Sequence, residues 1–142
     1  MANLPLTGQQ LNAMREKLQQ SGLRATNQRL TLAHLLFGHG NRHVTAELLY
    51  KEASKTGLGI SLATIYNTLN QFHEAGLLRE VIIDQNRSYF DTNLHEHHHF
   101  FVESEARLID IDEDEISLGE MPNAPAGFRT DSIQVVIRLK DA

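Results

Sequence analysis

The chain has 142 residues, 41% hydrophobic and 22% charged, with a formal net charge of −5 and no cysteine. That size and balance fit a soluble protein of one domain or two small lobes. No apolar run approaches the roughly 18 residues of a membrane helix and no signal peptide is evident, so a cytoplasmic location is expected. Without thiols, disulfides, cysteine zinc fingers and thiolate nucleophiles are excluded, and any metal must be held by nitrogen and oxygen.

The charge is unevenly spread. Residues 1–83 carry eight Lys/Arg against five acids, net +3, whereas residues 84–142 carry five against thirteen, net −8. A basic first part facing a polyanion and an acidic second part facing cations is one way to read that split.

Thr7-Gly8-Gln9-Gln10 is a capping box ahead of Leu11, Met14 and Leu18 at helical spacing, and this first helix stops near Gly22. Thr26 caps a second helix with Leu30, Leu32, Leu35 and Leu36 inward, ending around residues 38–40. His43 lies in the next connector. Thr45 caps a third helix with Leu48, Leu49 and Ala53 inward. Ser61 opens a fourth, SLATIYNTLNQFHEAG, in which Leu62, Ile65, Leu69 and Phe72 form one buried stripe. Its other face shows Thr64, Asn67, Thr68, Asn70 and Gln71, with no acid between Ser61 and His73. Amides and hydroxyls on an acid-free face suit base-edge readout, since Asn or Gln pairs with adenine and Thr or Tyr meets a thymine methyl. A plain solvated face reads the same way on this helix alone.

Residues 79–83 and 88–91 read as two strands joined by 84–87. Helices followed by a hairpin are the plan of a winged helix-turn-helix, whose second motif helix enters the major groove while its wing touches the backbone. Ser61, Thr64, Tyr66 and Asn67 are then nearest the bases, and Arg24, Arg29, Arg79 and Arg87 are candidates for phosphate.

Residues 95–99 read His-Glu-His-His-His, which is four of the eight histidines. Imidazoles so crowded point to a metal or a haem iron, with His95, His97, His98 and His99 as haem candidates. In an extended chain His97 and His99 share one face and His98 takes the other. Strands are expected at 100–102, 107–111 and 133–139, an acidic turn at 112–115, and no regular helix through Pro122, Pro125 and Gly127. Asp110 sits among apolar strand residues, where a lone carboxylate is costly unless paired or ligated. A cation held by His43, Asp91, His97, His99 and Asp110 would tie the lobes together, and three imidazoles with two carboxylates suit Fe(II), Mn(II) or Zn(II). His34, His39 and His73 are read as structural or exposed. The expected class is α+β: a winged helix-turn-helix domain over 1–91, then a small, mostly β (α/β) dimerisation and metal- or haem-sensing lobe over 92–142. So small a lobe is expected to pair its sheet across a dimer.

GLRATNQRL, HVTAELLYKEA, GISLATIYNTLNQFHEAGLL and the histidine cluster together resemble the ferric uptake regulator family, from about residue 8 to 112. The resemblance implies a homodimeric winged-helix regulator that binds double-stranded DNA at A/T-rich inverted repeats and responds to metal. It also carries the regulatory ligands over to His43, Asp91, His97, His99 and Asp110. The family's C-terminal cysteine pairs for structural zinc are missing, and its long dimerisation helix is replaced by the stretch with Pro122, Pro125 and Gly127. Both departures look like the iron response regulator branch, which controls iron and haem-synthesis genes in alphaproteobacteria and senses haem. The short Cys-Pro haem motif of some members is absent too, which leaves haem to the histidines. For the family's other cation site Glu96 and His98 stand in for two ligands, with no evident partner near Ser132. A peroxide sensor of the same family is the nearest alternative. A metal-dependent hydrolase is a different class; it needs an open coordination position that five protein ligands would hardly leave. A metal-storage protein would have no use for the polar face at 61–71. No enzyme activity and no membrane partner are expected.

Overall fold

The computed structural model of the chain describes residues 6–142. It divides between Leu94 and His95 into two compact units, just beyond the 91/92 boundary expected. Residues 92 and 93 stay with the first because the Thr92 N–H donates to the Arg42 carbonyl at 3.1 Å and the Asn93 N–H to Asp91 Oδ1 at 2.9 Å.

In the first unit, α1 (Gly8–Gln20) starts at the expected capping box, with Thr7 and Gln10 each accepting the other's backbone N–H. Helices α2 (Asn27–Phe37), α3 (Ala46–Ser54) and α4 (Leu62–Glu74) begin on Thr26, Thr45 and Ser61, whose hydroxyls accept the N–H three residues on. Each such cap is worth about 1 kcal/mol. Past α4, Gly76 takes the left-handed φ of +81° that ends a helix cheaply only without a Cβ. Leu18, Leu32, Leu36, Leu49, Ile65, Leu69 and Phe72 are fully buried in one apolar core; each contributes roughly 1.5–3 kcal/mol through burial. Two leucines expected inside are not: Leu48 is 41% and Leu62 37% exposed, while Thr68, expected on the polar face, is buried at 5%. The buried stripe of α4 is Ile65, Thr68, Leu69 and Phe72. Ile65, Leu69 and Phe72 keep their expected places; Leu62, the first helical residue, falls outside the stripe, and Thr68 joins it where α4 packs against α3.

The connector holding His43 is a short strand, β1 (His43–Val44), paired antiparallel with β3 (Arg87–Asp91), which also pairs with β2 (Arg79–Asp84). The sheet order is β1-β3-β2. The hairpin runs one residue further into its turn on each side than expected, because Asp84 pairs with Arg87 across a register shift between Ile82 and Asp84. Three helices, a fourth that closes the helix-turn-helix with α3, and a β2–β3 wing make the first unit a winged helix-turn-helix.

The second unit is a three-stranded sheet of β4 (His97–Val102), β5 (Arg107–Asp112) and β6 (Val136–Leu139) in the order β5-β4-β6. Strand β4 runs antiparallel to β5 and parallel to β6. Among the described residues its helical content is two single 3-10 turns, Glu103–Glu105 and Glu113–Glu115, the latter in the exposed acidic run. The stretch through Pro122, Pro125 and Gly127 forms no helix, as expected. The last strand is shorter than 133–139 because the Val135 N–H donates to His98 Nδ1, at 3.1 Å, instead of to a ladder carbonyl. The whole is an α+β fold.

Candidate metal centre and nucleic-acid interface

Each unit gathers part of the expected ligand set. In the first, the β1–β3 register sets His43 opposite Asp91, and His43 Nε2 lies 3.2 Å from Asp91 Oδ2. The Asp91 side chain is only 1% exposed, and a carboxylate so placed needs a partner. The backbone beside this pair is clamped from several sides. The Arg42 N–H donates to Thr92 Oγ1 at 2.8 Å. The Arg42 guanidinium grips both oxygens of Glu52, at 2.9 and 2.6 Å, and the Leu35 carbonyl at 3.1 Å. Arg42, Glu52 and Thr92 were not singled out in the sequence. Nothing local marks them, since their contacts join α2, α3 and the end of the β1–β3 pair that carries His43 and Asp91.

In the second unit the last three residues of the histidine cluster, His97, His98 and His99, open strand β4. His97, His98 and His99 are buried, and His95 and Glu96 are exposed. The expected alternation holds: the His97 and His99 rings meet edge to face with centroids 4.5 Å apart, and His98 turns to Val135 on the other face. The β4–β5 register sets His99 opposite Asp110, and Asp110 Oδ1 lies 3.4 Å from Nε2 of both His97 and His99. Asp110 is 41% exposed, so the burial argument for it does not hold; what marks it is its place across the strand from the two imidazoles. The His97 Nδ1–H donates to the His95 carbonyl. A neutral His97 therefore presents a lone pair at Nε2, aimed at a carboxylate oxygen. Two acceptors facing each other are repulsive unless a proton or a cation lies between them. Nitrogen and oxygen donors in this relation, with the far ring nitrogen pinned by a carbonyl, fit a divalent cation.

The cavity beside this sheet, about 340 Å³, is lined by Glu96, His98, Glu113, Asp131 and Ser132 among others. Glu96 and His98 thus share a cavity with two further acids near Ser132, although His98 Nδ1 is already committed to Val135. The other histidines are not all solitary. His34 and His39 pack edge to face at 5.0 Å, and burial followed by the charge of His39 lowers the His34 pKa below 6.5. His73 Nδ1 lies 3.0 Å from the Leu78 carbonyl, in keeping with a structural role.

The residues expected at DNA sit on the first unit, and most of them already have a protein partner. Tyr66 and Asn67 are exposed on α4, and Thr64 is half-buried. Ser61 is occupied as the helix cap, accepting from the Thr64 N–H at 3.1 Å and donating to Thr64 Oγ1 at 3.0 Å. The Tyr66 hydroxyl donates to Glu47 of α3, 2.7 Å from one oxygen and 3.3 Å from the other. That hydrogen bond, then burial and the Glu47 charge, raise the phenol pKa above 10.0. Arg29 donates to Gln71 Oε1 at 3.0 Å and to the Arg24 carbonyl at 2.9 Å, and Arg24 itself is exposed. At the wing tip Arg87 donates through Nε and Nη2 to Asp84 Oδ2, at 2.9 and 2.7 Å. The Arg87 hydrogen bond chiefly lowers the Asp84 pKa below 3.8. Arg79 stands at the other end of the hairpin, level with Asp91, so the two arginines mark its base and its tip. Glu47 was missed because its contact with Tyr66 joins two helices.

The sequence model of the Ferric uptake regulator family matches residues 20–138. The peroxide-responsive repressor PerR of Staphylococcus aureus is 35% identical over 94 residues, 66% of this chain and 63% of that protein. The ferric uptake regulation protein of Klebsiella pneumoniae is 36% identical over 102 residues, 71% of this chain and 66% of its own. The chain thus spans just under two thirds of the curated relatives it matches. The ferric uptake regulator of Pseudomonas aeruginosa solved with manganese superposes with a TM-score of 0.67 at 24% identity, covering 90% of this chain and 97% of that one; this likeness concerns the fold. No helix among the described residues is long and apolar enough to cross a membrane.

Proposed function

Because the chain belongs to the ferric uptake regulator family, we propose that it is a metal-responsive transcriptional regulator rather than an enzyme, acting as a homodimer on A/T-rich inverted repeats. The observation that carries the reading is the pair of imidazoles, His97 and His99, turned onto one oxygen of Asp110. We assign the regulatory cation, Fe(II), Mn(II) or Zn(II), to His43, Asp91, His97, His99 and Asp110, the N/O ligand set that the family resemblance implies. A divalent charge there would relieve the repulsion among carboxylate oxygens and imidazole lone pairs. The residues themselves do the positioning. The His95 carbonyl fixes the His97 tautomer, and the Arg42–Glu52 and Arg42–Thr92 contacts hold the strand ends that carry His43 and Asp91.

Within the family we place the chain in the iron response regulator branch, controlling iron and haem-synthesis genes with haem as an effector. The absence of cysteine supports this, since it leaves no thiolate for a structural zinc. His95 is the exposed imidazole of the cluster, whereas His97, His98 and His99 would reach haem only by leaving β4. Haem therefore competes with the cation and lowers operator affinity, while the metal-bound form binds better than the apo form. Haem must favour the arrangement that cannot bind DNA for this to work. A second reading, peroxide sensing through an Fe(II)-bound histidine, is favoured by the identity to the Staphylococcus aureus repressor.

One set of samples tests all of this: operator retention with chelator, with Mn(II) and with haem, each with its Soret spectrum. Metal-dependent retention relieved by haem is the expected result. Retention indifferent to metal would end the regulator reading. Retention unmoved by haem, but lost with a gain of one oxygen on His97 or His99 after Fe(II) and peroxide, would select the peroxide sensor.

A further inference from the structure

Taking the first unit as the DNA-reading one, as proposed above, we infer that Glu47 is a specificity-setting residue: its carboxylate holds the Tyr66 phenol in the orientation in which α4 meets the bases. Nearly half of Tyr66, 43%, is exposed. A side chain so open loses rotamer freedom only where something grips it, and here the grip is at the hydroxyl, which donates to both Glu47 oxygens at 2.7 and 3.3 Å. Glu47 is itself held by a rigid element. It lies in the first turn of α3, where the helix dipole favours a carboxylate, two residues after the Thr45 cap that accepts from the Leu48 N–H at 3.1 Å. Tyr66 is thereby fixed from a second helix, which is the kind of support a recognition group needs.

The surroundings argue that this acid serves selectivity and not affinity. Glu47 and Tyr66 line a cavity of about 520 Å³ together with Glu80, Asp84 and Arg87 of the wing. Acids on a face that meets a polyanion weaken binding to every duplex alike. An aromatic ring held at one angle, by contrast, favours only sequences that present a thymine methyl or base edge to it. One side chain thus exerts two effects, and substitution separates them. Glu47→Gln removes the charge but keeps an oxygen to accept from the phenol. Glu47→Ala removes both. Tyr66→Phe keeps the ring and removes the donor.

The test starts from a randomised duplex library selected on the Mn(II)-loaded wild-type protein, which supplies a preferred duplex and scrambled controls. Glu47→Ala and Tyr66→Phe should each lower the preferred-to-scrambled ratio about ten-fold, the low end of one base contact. The double variant should lose no more than either alone, as two residues acting as one unit do. Glu47→Gln should keep the ratio while binding all duplexes more tightly. Without DNA, the Tyr66 ring followed by NMR should titrate closer to its ordinary value of 10.0 in Glu47→Ala than in wild type. Tyr66→Phe, a surface change, carries the argument if α3 frays in Glu47→Ala. A selective wild type matched by equally selective Glu47→Ala and Tyr66→Phe proteins, or an unmoved Tyr66 titration, would overturn the role of Glu47. A wild type that selects no duplex would instead overturn the DNA-reading assignment on which it rests.

Discussion

The two units bury different things. The first has a continuous core of leucine, isoleucine and phenylalanine drawn from four helices and the wing. In the second, the buried apolar side chains among the described residues are Phe101, Leu108 and Ile111, and three imidazoles, His97, His98 and His99, are buried beside them. Apolar burial needs no partner beyond other apolar atoms. Buried imidazole needs donors, acceptors or a cation, and is costly without them. The first unit is therefore held mainly by apolar packing, whereas in the second, on the function proposed above, part of the stability rests on what its histidines bind.

The largest effect should come from emptying the first core. Phe72 is fully buried, and Phe72→Ala should cost about 3–5 kcal/mol in denaturation followed by far-UV circular dichroism. A loss below about 1 kcal/mol would break the contrast at once. Next comes the cation. Mn(II) or Zn(II) at about 100 times its Kd should add about 2.7 kcal/mol to the transition that unfolds β4. His97→Ala/His99→Ala should abolish that gain, while chelation should leave the helical signal of the first unit in place. Helix loss on chelation would show that the cation belongs to the core of both units. Third, Asn67→Ala should relax base preference by about 1–3 kcal/mol, whereas Arg87→Ala should weaken all duplexes together and flatten the salt dependence. Asp84→Asn, by removing the carboxylate charge to which Arg87 donates, should steepen that dependence.

The smallest effect is a pH slope. The folded-state pKa of His34 is lowered by burial and by His39. The unfolded chain takes up this proton first as pH falls through about 6.5, so stability should drop below that value until the folded ring also protonates. His34→Gln should flatten the drop in denaturation midpoints measured between about pH 7.5 and 5.5. An equal slope in the variant would assign it to other groups.

What could be read in the sequence was local. Thr7, Thr26, Thr45 and Ser61 announce their helices because a cap acts over three residues. The 97/99 alternation was readable because a strand's period is two. What escaped reading depends on distant chain. Strand β1 is two residues long and exists only because Asp91 and Phe90 lie opposite His43 and Val44. Thr68 is inside and Leu62 outside because a neighbouring helix chooses the face. The family resemblance points to Asp110, but the burial argument for it fails, and the register that sets it across from His99 is invisible without the β4–β5 pairing. The acids that hold Tyr66 and Arg42, Glu47 and Glu52, look in sequence like ordinary helix-surface charge.

The parallel pairing of β4 with β6 bears on how the second unit assembles. The β4–β5 hairpin closes through a short turn and can form within microseconds. Strand β6 arrives only after the long irregular stretch from Glu113 to Val135 has been gathered in, a slower closure with more entropy to lose. Until then β4 keeps one edge open, and that edge, His-His-His-Phe-Phe-Val, is the middle of the finished sheet. Refolding yield should therefore fall with protein concentration through edge-to-edge association in this interval, and a cation seated early on His97 and His99 would lessen the loss without speeding the arrival of β6.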